Sequence, residues 1–427
     1  MRLALPASLR DVAFRRFWLG RSLSLVGDQI RLLALPLTAV LVLHAGAGEM
    51  GIVGAVGALP ALLFGVHAGA WLDRRGGRRQ VMLWSDLGRA ALLALVPALW
   101  AVHALTLAGL VAIQFLVGTL SVLFGAASGT VFVSLVPRDR YVEASALLSG
   151  SRAGAFVVGP GIAGALVQSL SAPLALLADG LSFVASALSL ALVRPEEPAP
   201  APAERGHLGE GLRFVRASPV LRASFLSAAR LSLFRAAFMA VYLVYLTRSL
   251  HVTPAELGLI LGPSSIGAVF AAGLAGAAVR RIGLGPTLVA GTILWSVPTL
   301  MVPLAAGSHA TVVAVLFVAE GLLSAGSMVA EVAGGTLRAV AIPDALRSRV
   351  MGAMQLADRG LSPIGALLGG LVATWLGVRA AVWIGAVGIS LAFAWLAFSP
   401  LARMRAVEAF APPPGPSDAG APAAGGV

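Results

Sequence analysis

Apolar residues run through this chain in long blocks separated by short polar gaps, from residue 17 to residue 400. A helix that crosses a bilayer needs about 20 consecutive apolar residues. Twelve blocks reach that length, at 17–43, 49–72, 80–101, 105–134, 142–170, 174–193, 223–248, 255–279, 285–305, 310–336, 350–375 and 378–400. The pattern predicts an all-α integral membrane protein of twelve spans. Residues 1–16 carry four Arg and no cleavable leader, and so read as a retained tail.

Composition agrees with the pattern. The chain is 58% hydrophobic and 12% charged, about half the charge of an ordinary soluble protein. A net charge of +12 suggests nucleic acid at first sight, but the placement of the charge argues against it. The Arg residues gather at 2–16, 74–79, 138–140, 194–222, 280–281, 338–349 and 403–405, whereas the opposite loops hold Arg248 and Arg379. That asymmetry places both termini in the cytoplasm, as an even number of spans also requires. All 31 basic residues are Arg, which with abundant Ala and Gly suggests a GC-rich bacterium, and hence the bacterial inner membrane. With no Cys, disulfides, thiol nucleophiles and Cys-based metal sites are excluded.

The longest interior break, 194–222, begins as a Pro/Ala linker and continues with Leu208, Leu212, Phe214 and Val215 at helical spacing between Arg residues. That suits a helix on the cytoplasmic surface. The expected organisation is an N-terminal six-helix bundle (1–193), this linker (194–222), a C-terminal six-helix bundle (223–405) and a disordered tail (406–427). A single gapless shift of 207 residues superposes Glu49 on Glu256, Gly51 on Gly258, Gly69 on Gly276, Arg74 on Arg281, Gly76 on Gly283 and Arg152 on Arg359. Two parallel six-span halves with substrate bound between them at the midplane are a known transporter plan.

Between the second and third spans lies Gly69-Ala-Trp-Leu-Asp73-Arg74-Arg-Gly76-Gly-Arg78-Arg79. Gly69 would allow close helix approach, and Asp73 could accept bonds from a neighbouring helix N-terminus. The fifth span carries Gly159-Pro160 with Ala163 and Gly164, small residues for tight packing and a Pro for bending. The first segment resembles the loop 2–3 signature of the major facilitator superfamily, and the second is similar to its exporter-associated motif. Leu208–Phe214 and Pro343–Val350 resemble stretches of the subgroup containing siderophore, macrolide and related drug exporters. The resemblance implies a cytoplasmic gate formed by Gly69, Asp73, Arg74, Gly76 and Arg78 that locks an outward-facing state. One departure bears on coupling: the fourth span has Gln114 where proton-linked exporters of the family often carry Arg.

Charges inside spans are costly, roughly 2.5–3.5 kcal/mol each, and so mark candidate sites. Asp28 and Arg31 share a face of the first span, and Asp86 and Arg89 repeat the spacing in the third. The shift of 207 also sets Arg235 opposite Asp28, which makes Asp28 a substrate or proton site whose charge is governed by Arg31 or Arg235. Asp179, Glu320 and Arg152 are further candidates. Phosphate-loop, zinc-protease and nucleophile-elbow motifs are all missing, so the chain reads as no enzyme, with no cofactor or metal and no direct use of ATP. The reading is a monomeric secondary transporter in the lipid bilayer, exporting a small amphipathic compound such as a drug, antibiotic or siderophore in exchange for protons. Import or uniport of a metabolite is the alternative, and a non-transporting accessory role a more distant one.

Overall fold

The computed structural model describes residues 6–195, 197, 208–262, 266–343, 346–391 and 396–398. Its elements are helical throughout this range. The first half holds α1 (Val12–Leu37), α2 (Ala47–Arg75), α3 (Arg78–Ala101), α4 (Leu107–Leu135), α5 (Tyr141–Leu170) and α6 (Ala172–Ala191). A connecting helix, α7 (Leu208–Ala217), leads to α8 (Pro219–Val244), α9 (Pro254–Leu261), α10 (Ile266–Ile282), α11 (Leu284–Ser296) and the single turn α12 (Met301–Leu304). The second half ends with α13 (His309–Ala341), α14 (Arg347–Gly360), α15 (Ser362–Leu376) and α16 (Val378–Ser390). Among the described residues, ten helical runs are long and apolar enough to cross a membrane. The eleventh span is divided into α14 and α15, because Pro363 near the start of α15 has no N–H to continue the ladder. The twelfth begins with α16. The expected tail, 406–427, lies outside the described residues.

Local chemistry sets the starts of these helices. Asp11 accepts from the Phe14 N–H at 2.8 Å to open α1. Thr106, Ser218 and Ser308 cap α4, α8 and α13 in the same way. Glu49 and Glu256 each return a carboxylate to the residue before their helix.

The internal repeat is visible in backbone detail. Val12 and Pro219, which open α1 and α8, are 207 residues apart, as are the π-helical turns Thr38–Val42 and Tyr245–Ser249 that finish those spans. His44 and His251, at φ 54° and 53°, are separated by the same interval. The shift then changes. The first half turns between α2 and α3 on two positive-φ glycines, Gly76 and Gly77, whereas the second uses Gly283 alone. Beyond that extra residue the offset is 206: Tyr141 pairs with Arg347, Leu170 with Leu376, and the positive-φ Ser171 with Gly377. The single gapless shift of 207 therefore fails past Gly77, and the counterpart of Arg152 is Asp358 rather than Arg359.

The halves meet near the ends of the spans remote from the chain termini. A Cβ on Gly51 (α2) would stand 2.8 Å from the Ala366 oxygen and 3.0 Å from Gly370 Cα in α15. Its counterpart Gly258 (α9) would stand 2.5 Å from the Pro160 oxygen and 3.1 Å from Gly164 Cα in α5. Two backbone-to-backbone seams, related by the repeat, thus seal this far end. Arg248 reinforces them by donating to the Val40 oxygen across the halves at 3.2 Å. Eighteen residues beyond Gly51, five full turns on the same face of α2, stands Gly69, and eighteen residues beyond Gly258 stands Gly276 of α10. Gly69 has no described atom within 4 Å of a Cβ position, and Gly276 has only the Arg280 side chain at 3.6 Å. The close approach expected at Gly69 is absent here, because the halves part toward the terminal end.

Candidate functional site

The first half concentrates its buried charge where α1, α3 and α6 pack. Arg31 donates to Asp28 at 2.8 Å, and its Nε lies 3.2 Å from Asp179 Oδ2 of α6. Asp179 is fully buried, whereas Asp28 keeps partial exposure. Gly27 makes this possible, since a Cβ there would collide with the Asp179 and Ser182 side chains. Ser182 fixes the carboxylate from behind, donating to the Asp179 carbonyl at 2.7 Å and to Oδ1 at 3.3 Å. Two carboxylates therefore share one guanidinium. With both ionised the trio carries an excess negative charge, and one added proton would neutralise it. Burial in low dielectric makes that difference energetically large.

One turn-pair toward the terminal end, Asp86 and Arg89 of α3 form a second, wholly buried pair. The Arg89 guanidinium stacks 3.9 Å over Phe183 and 4.6 Å over Phe124. Arg21 lies 5.2 Å over the other aromatic contact, Phe124 again. This is a closed, packed core. It agrees with mutual neutralisation of Asp86 and Arg89.

Other candidates lie apart. Arg235, expected as a possible partner of Asp28, is exposed on α8 and forms no ion pair among the described residues. Arg152 is also exposed on α5. Glu320 of α13 accepts from the Tyr242 hydroxyl of α8 at 2.7 Å, and Tyr242 stacks on Phe238 at 5.2 Å. Among the described residues no cation pairs with Glu320. With the offset of 206 its counterpart is Gln114, which donates to the Val53 oxygen at 3.2 Å.

At the terminal end, Arg78 reaches back to Asp73 at 3.0 Å, while Asp73 stays half exposed. Arg74 donates to the Ala70 carbonyl at 3.1 Å. Gly76 turns the chain at φ 67°. One residue here was not anticipated. Glu197, in the linker taken as unpacked Pro/Ala, accepts from the backbone N–H groups of Arg78 and Arg79 at 2.7 and 2.6 Å, capping α3. A lone acidic residue within the Pro/Ala run was the available signal. Gly159 leaves room for Gln29 of α1, while Pro160 and Gly164 belong to the far-end seam. The two exporter-like stretches, Leu208–Phe214 and Pro343–Val350, are opposite sides of one contact. Glu210 pairs with Arg349, and Gly211 abuts the Arg349 backbone. Val215 is buried with Val350 and Ala353 in the same cluster, so the apolar face of α7 is turned onto protein.

Comparison with known proteins places this architecture. YfiS of Bacillus subtilis (strain 168), an uncharacterized MFS-type transporter, is 26% identical over 371 residues, 85% of this chain and 87% of that one. The multidrug efflux pump Tap of Mycolicibacterium fortuitum is 28% identical over 373 residues, covering 83% and 87%. Among solved structures, a bacterial homologue of the iron transporter ferroportin in an inward-facing state superposes with a TM-score of 0.74 at 19% identity, covering 90% of this chain and 97% of that one. An outward-facing structure bearing the same description reaches 0.59, with 90% and 98% covered. The fold is that of these transporters. Residues 4–418 match the family described as transmembrane secretion effector, so the chain belongs to this family of major facilitator transporters.

Proposed function

We propose that this protein is a secondary active exporter of a small amphipathic compound, driven by exchange for protons. The observation that carries this reading is the trio at the midplane, in which Asp28 and Asp179 share Arg31. Asp28, the partly exposed member, takes up and releases the proton. Asp179 stays buried and keeps Arg31 in place. The proton changes the net charge of the trio, and that change biases two arrangements of the halves. Arg concentrated at the terminal end supports a cytoplasmic location for that end, in which case the arrangement described is inward-facing. In the alternate arrangement the seams part, the terminal ends of α2 and α14 close, and Asp73, Arg74 and Arg78 act as the gate. Glu320 with Tyr242, together with Arg235 and Arg152, are the further polar groups offered to substrate.

The apolar spans, poor in Asn, Gln and aromatic hydrogen-bonding groups, favour a lipophilic drug, antibiotic or siderophore over a sugar. The 28% identity to a multidrug efflux pump supports export. Inverted membrane vesicles with an acid interior test the proposal. Substrate accumulation should depend on the pH gradient and disappear in Asp28→Asn. Accumulation that ignores both would overturn it.

A further inference from the structure

The repeat lets each half serve as a template for the other, and one volume differs sharply between them. In the first half, Phe17, Asp86, Arg89 and Phe124 fill the space between α1, α3 and α4. Their counterparts in α8, α11 and α13 are Ser224, Thr292, Trp295 and Ala330, by the offsets of 207 and 206 established above. Two large aromatics and an ion pair are thus replaced by smaller groups and one indole. These four residues line a cavity of about 400 Å³ in the terminal half of the second bundle. Protein interiors are normally filled to crystal-like density, and ligand pockets measure roughly 300–1,000 Å³. The space is a pocket built on a scaffold that its sister half shows how to plug.

Its lining is amphipathic. Trp295, Met351 and Met354 offer polarizable apolar surface. Glu331 and Arg338 cancel each other as an ion pair at 3.0 Å. Asp358, the counterpart of Arg152, also lines the pocket and forms no ion pair among the described residues. Ser224 Oγ is buried there without a hydrogen-bond partner. The free charge facing the pocket is therefore negative, beside an indole whose face attracts cations.

We infer that this pocket is a capture site for amphipathic organic cations, separate from the midplane trio and reached from the terminal end. The charged head sits between Asp358 and Trp295, and the apolar body lies on Met351 and Met354. The inference deepens the export reading and rests on it for its purpose, although occupancy of the pocket can be measured without transport.

Equilibrium dialysis of radiolabelled tetraphenylphosphonium against the full-length protein in lipid nanodiscs provides the test, with uncharged triphenylphosphine oxide as the control probe. Ala330→Phe, which restores the plug of the first half, should weaken both probes at least tenfold. Asp358→Asn should weaken the phosphonium about tenfold and leave the neutral probe within twofold. Asp139→Asn, at an exposed carboxylate between α4 and α5, should bind both as wild type does. Ser224→Phe provides a second plug if Ala330→Phe does not fold, as judged by its thermal unfolding. Wild-type affinity in a folded plugged variant, or phosphonium affinity unchanged in Asp358→Asn, would overturn the pocket and leave the export reading standing. Binding that follows the expected pattern without any flux in vesicles would do the reverse.

Discussion

The two halves share a backbone and differ in what they do with buried charge. In the first half, Arg31 is shared by Asp28 and Asp179, while Arg89 is locked to Asp86 and sandwiched by aromatic rings. In the second, Glu320 is held by a tyrosine hydroxyl without a cation among the described residues, and the volume corresponding to the Arg89 core opens as a cavity beside Trp295. The seams between the halves, by contrast, are near copies. Symmetry is kept at the seams between the halves and lost in the buried charge of each bundle. The first half pairs its buried charge, and the second leaves Glu320 and Asp358 without ion-pair partners among the described residues.

The largest expected effect comes from breaking the first half's trio. Arg31→Met leaves two carboxylates facing each other in the interior, and removing one member of a buried pair costs about 3–5 kcal/mol. Thermal unfolding in detergent should show a large loss, with partial recovery in Arg31→Met/Asp179→Asn. Equal stability of the single and double variants would contradict the shared-guanidinium arrangement. Next come the seams, where the halves should respond alike. Gly258→Val and Gly51→Val each force side-chain bulk onto backbone, at about 1–3 kcal/mol against the closed far end. The chain has no Cys, so a cysteine introduced at Thr253 reports opening by its labelling rate, which should rise roughly 5–150-fold. An effect in one variant only would show that the seams are not equivalent. The smallest effect belongs to the second half. Tyr242→Phe removes one hydrogen bond from Glu320 and should cost about 1 kcal/mol, a shift of a few degrees in the same unfolding assay. A loss as large as that of Arg31→Met would erase the contrast between the halves.

Much of this was legible from residue order. The apolar blocks located the spans, and Glu49 with Glu256 exposed the repeat because both solve one local problem, capping the helix that follows a turn. Asp28 with Arg31 was legible too, since a three-residue spacing puts both on one helix face. Asp179 was named as a candidate, but its contact with Arg31 was not legible, because it depends on Gly27 opposite and on 147 intervening residues of chain having returned to the same place. Arg235 misled for an instructive reason: symmetry-related positions lie at equal depth on opposite walls, which is equivalence and not contact. The change of offset hid in a single added glycine, Gly77, whose left-handed conformation absorbs one residue without disturbing the helices on either side. Without that correction Asp358 pairs with nothing informative, and the contrast between plugged and open volumes stays invisible.

The glycine seams also set the mechanics of the molecule. They bear on each other at two points on opposite sides of the pseudo-axis, which makes them a fulcrum. Gly69 lies five turns from Gly51, a lever arm of roughly 27 Å. Widening the mouth by about 8 Å then needs a tilt of only about 17°, within the range of rigid-body rotations that known switching proteins use. A leverage of this kind means that sub-ångström crowding at the fulcrum is magnified at the mouth. The residues with no side chain therefore have the tightest dimensional tolerance in the protein.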